Sequence, residues 1–184
     1  MKRLRWVGWY AIAAFIVFVV MPGLSYLVVL GVERALSIER FGTLGVNSLL
    51  ALPILLFGLA WMGWSSVRLR RFGRGHAIHA FGKAPAPTQR LCMHGPYRHC
   101  QNPMYFGWLT VMVGVGVALG SIVFILLVPA LWVAFIYWYL PRFEWPDLEA
   151  RFGEEWRVWN RSTPLIVPRP WRRTKAGGGA LQRS

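Results

Sequence analysis

The sequence predicts an all-α integral membrane protein with about four transmembrane helices. Three apolar blocks carry this prediction, 6–32, 44–64 and 105–140, and none of them contains Asp, Glu, Lys, Arg or His. Hydrophobic residues make up 55% of the 184 residues, and the mean hydropathy is +0.40. Because about 20 consecutive apolar helical residues cross a bilayer core, each block is long enough to span it.

The first two blocks each predict one span, over 6–32 and 44–64. The third block has 36 residues, which is too long for one crossing, and it contains Leu-Gly-Ser at 119–121. It therefore predicts a tight helical hairpin with spans over 105–119 and 121–140. A secretory signal peptide is the alternative for residues 1–20, but the apolar run is long and aromatic and has no clear small-residue cleavage site.

Charge placement predicts the orientation of these spans. Basic residues precede the first span at positions 2, 3 and 5, and the 65–104 connection carries seven basic residues and no acid. The tail after residue 140 has nine basic residues against five acids, whereas the charges of the 33–43 connection cancel. The positive-inside rule then places both termini and the 65–104 connection in the cytoplasm, at the inner membrane if the protein is bacterial.

The net charge of +14 raises the alternative of a nucleic-acid-binding protein. The basic residues flank predicted spans, however, where they face anionic lipid headgroups, so the bilayer is the expected partner and nucleic acid is not. Cys92 and Cys100 lie in the predicted cytoplasmic connection, where disulfides are uncommon, and are expected to be free thiols.

The stretch Gly-Pro-Tyr-Arg-His-Cys-Gln-Asn-Pro-Met-Tyr-Phe-Gly-Trp, residues 95–108, joins the polar connection to the third apolar block. Pro103 has a fixed φ and no N–H, which suits the first turn of a helix. Asn102 is the expected N-cap. The N–H groups of Met104, Tyr105 and Phe106 are expected to lack intrahelical partners and to face the membrane surface. A well-capped membrane helix without further function is the structural alternative.

The tail is predicted to contain a C-terminal interfacial helix over 146–160, because Leu148, Phe152, Trp156 and Trp159 recur on one helical face. Pro146 is expected to interrupt the helix that leaves the membrane, which places Glu144 at the break. A surface ion pair with Arg142 or Arg98 is the structural alternative for Glu144. Residues 1–172 are interpreted as one membrane domain, and 173–184 as a disordered tail.

Taken together, these segments resemble a known family. The 95–108 stretch, the later Glu-Trp-Pro-Asp-Leu-Glu-Ala-Arg-Phe-Gly-Glu-Glu-Trp at 144–156 and Thr-Pro-Leu-Ile-Val-Pro at 163–168 are similar to motifs of the isoprenylcysteine carboxyl methyltransferase family. Its bacterial and archaeal relatives and the phospholipid methyltransferases share these motifs. The resemblance covers roughly residues 82–168.

The resemblance implies an integral membrane enzyme that transfers a methyl group from S-adenosylmethionine to a lipophilic acceptor, a carboxylate, thiol or amine. It implies a cofactor loop at 73–104 packed on the helix ends instead of a Rossmann domain, with no residue assigned a catalytic role. The matching cofactor-binding positions are Leu91, Cys92, Tyr97, Asn102, Pro103, Met104, Tyr105 and Glu144.

Several positions depart from the family pattern. Gln101 stands where the family usually has Arg, Trp145 replaces the second Glu, and Trp156 replaces a Tyr. Leu140 occupies the place of an Arg that the eukaryotic enzymes use for substrate. Arg142, two residues further on, is the candidate substrate-binding cation, although it does not align with that position. The acceptor is therefore left open.

Two other functions stay open at this point. His76, His79, Cys92, His94, His99 and Cys100 are residue types that bind zinc, although their spacing matches no standard finger. A membrane protein of the same architecture with another activity, such as a sterol-reductase-like enzyme, or with none, is the second alternative.

Overall fold

The computed structural model describes residues 15–75 and 88–169, together with Gly8 and Ile12, and the regular secondary structure of this part is helical throughout. Predictions for the start of the first span, for 76–87 with His76 and His79, and for the tail at 173–184 fall outside the described residues. The fold class is therefore confirmed as helical for the described part.

Five α-helices follow one another along the described chain. They are α1 (Met21–Leu36), α2 (Leu44–Arg68), α3 (Pro103–Ala118), α4 (Ile122–Tyr139) and α5 (Trp145–Ser162). A π-helical turn, Ile16–Val20, leads into α1, another, Leu69–Gly73, extends α2, and a third, Leu140–Glu144, joins α4 to α5. The 3-10 turn Gly95–Arg98 lies before α3.

Two of the described helices are long and apolar enough to cross a membrane, Leu44–Gly73 and Ile122–Ser162. The first contains the predicted span 44–64, and the second begins one residue after the start of the predicted span 121–140 and contains the rest of it. Helix α3 is apolar but has only 16 residues. The count of four spans, with the hairpin of the last two, therefore stays a prediction.

Helices α2 and α3 approach each other most closely at glycines. A Cβ atom on Gly58 would lie 2.8 Å from Val111 Cγ2 and 2.9 Å from the carbonyl oxygen of Gly107. A Cβ on Gly107 would in turn lie 2.6 Å from Met62 Cγ and 2.9 Å from the carbonyl oxygen of Gly58. Such backbone contact is how small residues join helices in membranes, and it fixes the first turns of α3 against the second half of α2.

A polar cluster joins α1 to α4 at the end of the molecule opposite the 88–104 segment. Glu33 is buried, and its carboxylate accepts a hydrogen bond from Ser121 Oγ and pairs with Arg40 at 3.0 Å. Ser121 also caps α4, since its Oγ accepts from the Phe124 N–H at 3.0 Å. The connection between α1 and α2 is thereby held against the turn between α3 and α4.

The predicted break at Pro146 is wrong, because the chain stays helical from α4 into α5. The π-helical turn Leu140–Glu144 widens the helix by one residue, and the Trp145 N–H bonds back to the Leu140 carbonyl. Pro146 thus falls in the first turn of α5, where its missing N–H costs little. The tail helix instead turns at Gly153, whose φ of 54° and ψ of −128° are accessible chiefly to glycine.

The glycine contact gives a stability prediction. Gly58→Ala forces a methyl group against α3 and should lower the free energy of unfolding by about 1–3 kcal/mol, as overpacking does. Gly63→Ala is the matched control on the same helix, because a Cβ there meets nothing within 4 Å. Thermal unfolding in detergent measures both, and equal melting temperatures would disprove the close contact.

Candidate functional site

Hydrogen bonds between two distant segments build the base of the candidate site. The N–H of Gln101 donates to the Pro164 carbonyl at 2.8 Å, and the N–H of Asn102 donates to the Leu165 carbonyl at 3.0 Å. The Arg169 N–H donates to the His99 carbonyl at 3.0 Å. Residues 99–102, just before α3, are therefore paired with the chain that follows α5.

Gln101 strengthens this pairing, a role that the sequence did not reveal. Its side chain is buried, and its amide nitrogen donates to the carbonyls of Asn160 at 2.9 Å and Thr163 at 2.6 Å. These carbonyls lie at the C-terminal end of α5, where backbone acceptors lack intrahelical partners. The two acceptors are about 60 residues away in the chain, so the sequence could not predict these bonds. The one signal at this position was that Gln101 stands where the family usually has Arg.

Asn102 lies where it was predicted, immediately before α3, but its side chain does not cap the helix. Its amide nitrogen instead donates to the Leu165 carbonyl at 3.3 Å. The Phe106 N–H donates to the Asn102 carbonyl at 3.2 Å, so the prediction that Phe106 lacks a partner is wrong. Among the described residues, the N–H groups of Met104 and Tyr105 have no acceptor, which leaves two donors at the helix start.

Glu144 lies at the end of the π-helical turn that follows the apolar part of α4. Its side chain is partly exposed, yet it is surrounded by enough protein that desolvation raises the pKa to about 7, while Arg151 acts to lower it and Asp147 to raise it. Within residues 15–75 and 88–169 its carboxylate has neither a hydrogen bond nor an ion pair. A carboxylate held in this way is poised to accept a cation or a proton.

The nearby arginine does not neutralise Glu144 because it has other partners. Arg151 pairs with Asp147 at 2.7 Å and donates to the Thr88 carbonyl, also at 2.7 Å. These contacts attach Thr88 to helix α5. The predicted alternative, an ion pair of Glu144 with Arg142, is not formed.

Tyr97 is brought to Glu144 by the 3-10 turn before α3. Burial raises the pKa of its phenol, and the charges of Cys92, Glu144 and Cys100 act in the same direction. Tyr105 of the same motif packs against the cluster around Leu140 together with Phe143 and Trp145, the two neighbours of Glu144 in the chain. The two motifs, separated by about 40 residues, therefore converge in space.

The remaining positions of the first motif lie in the protein interior around Tyr97 and the start of α3. Cys92 is buried with Leu69 and Tyr97, and its Sγ lies 3.7 Å from the Arg68 carbonyl oxygen. Both cysteines are free thiols, and burial raises the pKa of Cys100 to about 12. Leu91 is partly buried, and Pro103 is fully buried at the first position of α3.

Met104 is the next residue of α3, and its Sδ lies 3.8 Å from Ser66 Oγ of α2.

Arg142 is not brought into this group. Its side chain is exposed, donates to the Trp138 carbonyl at 3.1 Å, and lies over the Trp138 ring at 5.1 Å from the ring centre. Since Arg142 and Glu144 are two residues apart on a helix, they point in different directions.

An apolar groove of about 480 Å³ adjoins the pairing between 99–102 and the tail. Its walls are Phe106, Leu109 and Val113 of α3, Val133 and Tyr137 of α4, and residues 164–167. Phe106 also packs against the cluster around Leu140, as do Tyr105 and Trp145. The same cluster includes Phe143 and Trp145, the two neighbours of Glu144 in the chain.

The loop metal site finds no support in the described part of the chain. No group of three or more His, Cys, Asp or Glu residues there is arranged to hold a metal ion. His94 stacks on Phe72 with ring centres 4.4 Å apart, and His99 Nδ1 lies 2.9 Å from the Arg169 carbonyl oxygen. His76 and His79, the other histidines of that prediction, lie outside the described residues.

Comparison with known families supports the resemblance seen in the motifs. A family model described as phospholipid methyltransferase matches residues 46–155, which include α2, α3, α4 and the Glu144 turn. That family belongs to the isoprenylcysteine carboxyl methyltransferase-like group, so the resemblance recognised from the motifs is confirmed. Neither a curated protein nor a solved structure matched the chain.

The role of Gln101 gives a testable consequence. Gln101→Glu keeps the side-chain shape but removes the donor and places carboxylate oxygens against two carbonyls, so the free energy of unfolding should fall by about 1–3 kcal/mol. Gln89→Glu, at an exposed position, is the control. Thermal unfolding with limited proteolysis of the tail measures the effect, and a tail equally resistant in both variants would argue against the role.

The raised pKa of Glu144 predicts how stability depends on pH. Folding raises this pKa above its ordinary value of 4.5 to about 7, so the stabilisation by the bound proton is complete below about pH 4.5 and is lost as the pH rises through 7. Between pH 6 and pH 8 wild type should lose about 1 kcal/mol more than Glu144→Gln. Parallel melting curves at both pH values test this, and an identical pH dependence would contradict it.

Proposed function

The chain belongs to the phospholipid methyltransferase family, and from this premise we propose that it uses S-adenosylmethionine to methylate a lipophilic acceptor at a membrane surface. Membership of this family supports methyl transfer as the reaction and a membrane as the location. The family match favours this activity over the reductase-like and metal-binding alternatives. The donor, the site and the class of acceptor are the proposal.

The Glu144 carboxylate has no hydrogen bond or ion pair with any described residue, and this observation carries the proposal. S-adenosylmethionine has an ammonium group and a sulfonium, and a partly buried carboxylate without an ion pair fits such a cation. The residues present therefore suit the methyl donor. Glu144 would accept hydrogen bonds from the ammonium or from ribose hydroxyls, and these bonds are strengthened away from bulk water.

The start of α3 offers the complementary charge. The N–H groups of Met104 and Tyr105 have no intrahelical acceptor, and the N-terminus of a 16-residue helix favours an anion. These donors suit the carboxylate of S-adenosylmethionine. The Glu144 carboxylate would therefore suit the ammonium group of the methyl donor, and the N–H groups of Met104 and Tyr105 would suit its carboxylate.

Aromatic residues near Glu144 complete the fit. Tyr97 and Tyr105 lie within reach of its charge, and Trp145 follows it directly in the chain. The face of an aromatic ring attracts a cation, so these rings suit a sulfonium.

The groove between α3 and α4 supports a lipophilic acceptor. Its walls are mainly apolar, and its volume of about 480 Å³ is in the usual range for sites that hold small organic molecules. A polar methyl donor and an apolar acceptor need separate approaches, and the groove shares one cluster of side chains with Phe143 and Trp145, the chain neighbours of Glu144. A prenyl or acyl chain is the kind of group that such a groove would take.

When bound, S-adenosylmethionine would supply an electrophilic methyl group on a sulfonium. The residues of this chain would orient the two reactants and exclude water, since such a displacement needs alignment more than acid or base groups. Orientation of this kind lowers a barrier by about 7–11 kcal/mol. A carboxylate acceptor needs no base, whereas a thiol or amine acceptor must lose a proton, for which no residue is assigned.

The distribution of basic residues supports a cytoplasmic site. Arg70, Arg71, Arg74 and Arg90 are exposed beside it, and the described segments on this side carry the charge excess that the positive-inside rule places in the cytoplasm. We propose that the methyl donor enters from the cytoplasm and the acceptor from the bilayer.

Binding of S-adenosylmethionine to detergent-purified protein tests the proposal. Wild type should bind it in calorimetry, and Glu144→Gln should bind at least tenfold more weakly, which corresponds to about 1.4 kcal/mol. Glu155→Gln, an exposed glutamate on the same helix, should bind like wild type.

Two results would count against the proposal. Failure of wild type to bind would exclude the methyl donor, and equal affinity of both Gln variants would remove Glu144 from the site.

A further inference from the structure

Arg151 is held on two sides by partners other than Glu144. Its Nη2 pairs with Asp147 Oδ2 at 2.7 Å, and its Nε donates to the Asp147 carbonyl at 3.3 Å. Its Nη1 donates to the Thr88 carbonyl at 2.7 Å and to Thr88 Oγ1 at 3.3 Å. All three nitrogen atoms of the guanidinium are therefore engaged, two by helix α5 and one by the connection that leads to α3.

Helix α5 places Arg151 on the same face as Glu144. The two residues are close to two helical turns apart, and Asp147 lies between them, one turn from each. The turn at Gly153 comes only after this stretch. Side chains on a helix lean toward its N-terminus, so the long Arg151 side chain extends in the direction of Glu144, as its pair with Asp147 shows.

The fixed guanidinium acts on Glu144 without occupying it. Desolvation raises the pKa of Glu144, the Arg151 charge acts to lower it, and the Asp147 charge acts to raise it. No described residue forms an ion pair with the Glu144 carboxylate. A direct pair would fill the carboxylate, whereas a cation held further away favours its charged form and leaves its oxygens open to a ligand.

The other titratable groups around Glu144 do not supply such a cation. Tyr97, on the 3-10 turn before α3, is a buried phenol, and burial raises its pKa, so it is neutral near pH 7. Tyr105 of α3, which packs with both chain neighbours of Glu144, is also a phenol. Arg142 is exposed and donates to a carbonyl of α4. In the described part of the chain, Arg151 is therefore the cation that favours a charged Glu144.

We propose that Arg151 is a positioning residue whose guanidinium, held by Asp147 and Thr88, keeps the Glu144 carboxylate charged and open to the ammonium group of S-adenosylmethionine. This inference rests on the proposed function and adds a residue that acts on the ligand through Glu144. Because the charged form of Glu144 is the one that attracts an ammonium group, ligand affinity should depend on the pH at which Glu144 loses its proton.

The pH dependence of S-adenosylmethionine binding in calorimetry tests the proposal. Wild-type affinity should decrease as the pH falls through about 7, where Glu144 takes up a proton. Arg151→Gln should move the midpoint of this decrease upward by about half a pH unit or more, because Glu144 holds its proton more tightly without the cation. Arg151→Lys keeps the charge and should keep the wild-type midpoint. The ligand's own amino group titrates alike with every variant.

Two further variants separate this role from attachment of the connection to α5. Arg157→Gln removes an exposed arginine of the same helix that pairs with two other glutamates, and it should leave the midpoint unchanged. Asp147→Asn removes an acid that acts on Glu144 and should move the midpoint downward, opposite to Arg151→Gln. If Arg151 only attached the connection, its substitution would weaken binding equally at every pH.

An unchanged midpoint in Arg151→Gln, or an equal upward shift in Arg151→Lys, would overturn the proposal. If Arg151→Gln does not fold, Asp147→Asn decides, because a midpoint that does not move downward overturns the proposal as well. Absence of binding by wild type would instead overturn the proposed function. The effect of Glu144→Gln on the pH dependence of melting, measured with and without Arg151→Gln, then still tests Arg151, since its loss should move that effect to higher pH.

Discussion

The pairing of residues 99–102 with 160–169 is the constraint on which the candidate site depends. The backbone bonds of Gln101 and Asn102 to residues 164 and 165 hold the start of α3 against the end of the tail. The Gln101 amide then fixes the last carbonyls of α5. Without this pairing, the C-terminal end of α5 would lose its attachment to the residues that precede α3.

Two glutamates, Glu144 and Glu33, differ in the partners that they have among the described residues. Arg151 is the basic residue whose charge acts on Glu144, and its side chain is already engaged by Asp147 and Thr88. At the other end of the molecule, Glu33 is buried, and it is paired with Arg40 and bonded to Ser121. The fold therefore satisfies Glu33 and leaves the partly exposed Glu144 without an ion pair among the described residues, a pattern typical of functional sites.

The close approach of α2 and α3 explains how a small protein positions these groups. Backbone contact between Gly58 and Gly107 fixes α3 against α2, and Ser66 of α2 reaches the Sδ of Met104 at the helix start. The apolar groove opens on the other side of α3, toward α4. One helix thus has two unpaired donors at its N-terminus and an apolar groove along its side, which is the arrangement that the proposed methyl transfer to a lipophilic acceptor would use.

The sequence by itself determined the helical class, the start of α3 at Pro103, and the family, because apolar runs, proline and motif spacing are local properties. It misjudged Pro146, since a π-helical turn can absorb a proline at a helix junction, and it assigned Asn102 a local cap. Only the tertiary structure decided the partners of Asn102, Gln101 and Trp156. Their side chains contact segments that are distant in the chain and that meet through the turn at Gly153 and the pairing of 99–102. Such long-range contacts leave no periodic signal in the sequence.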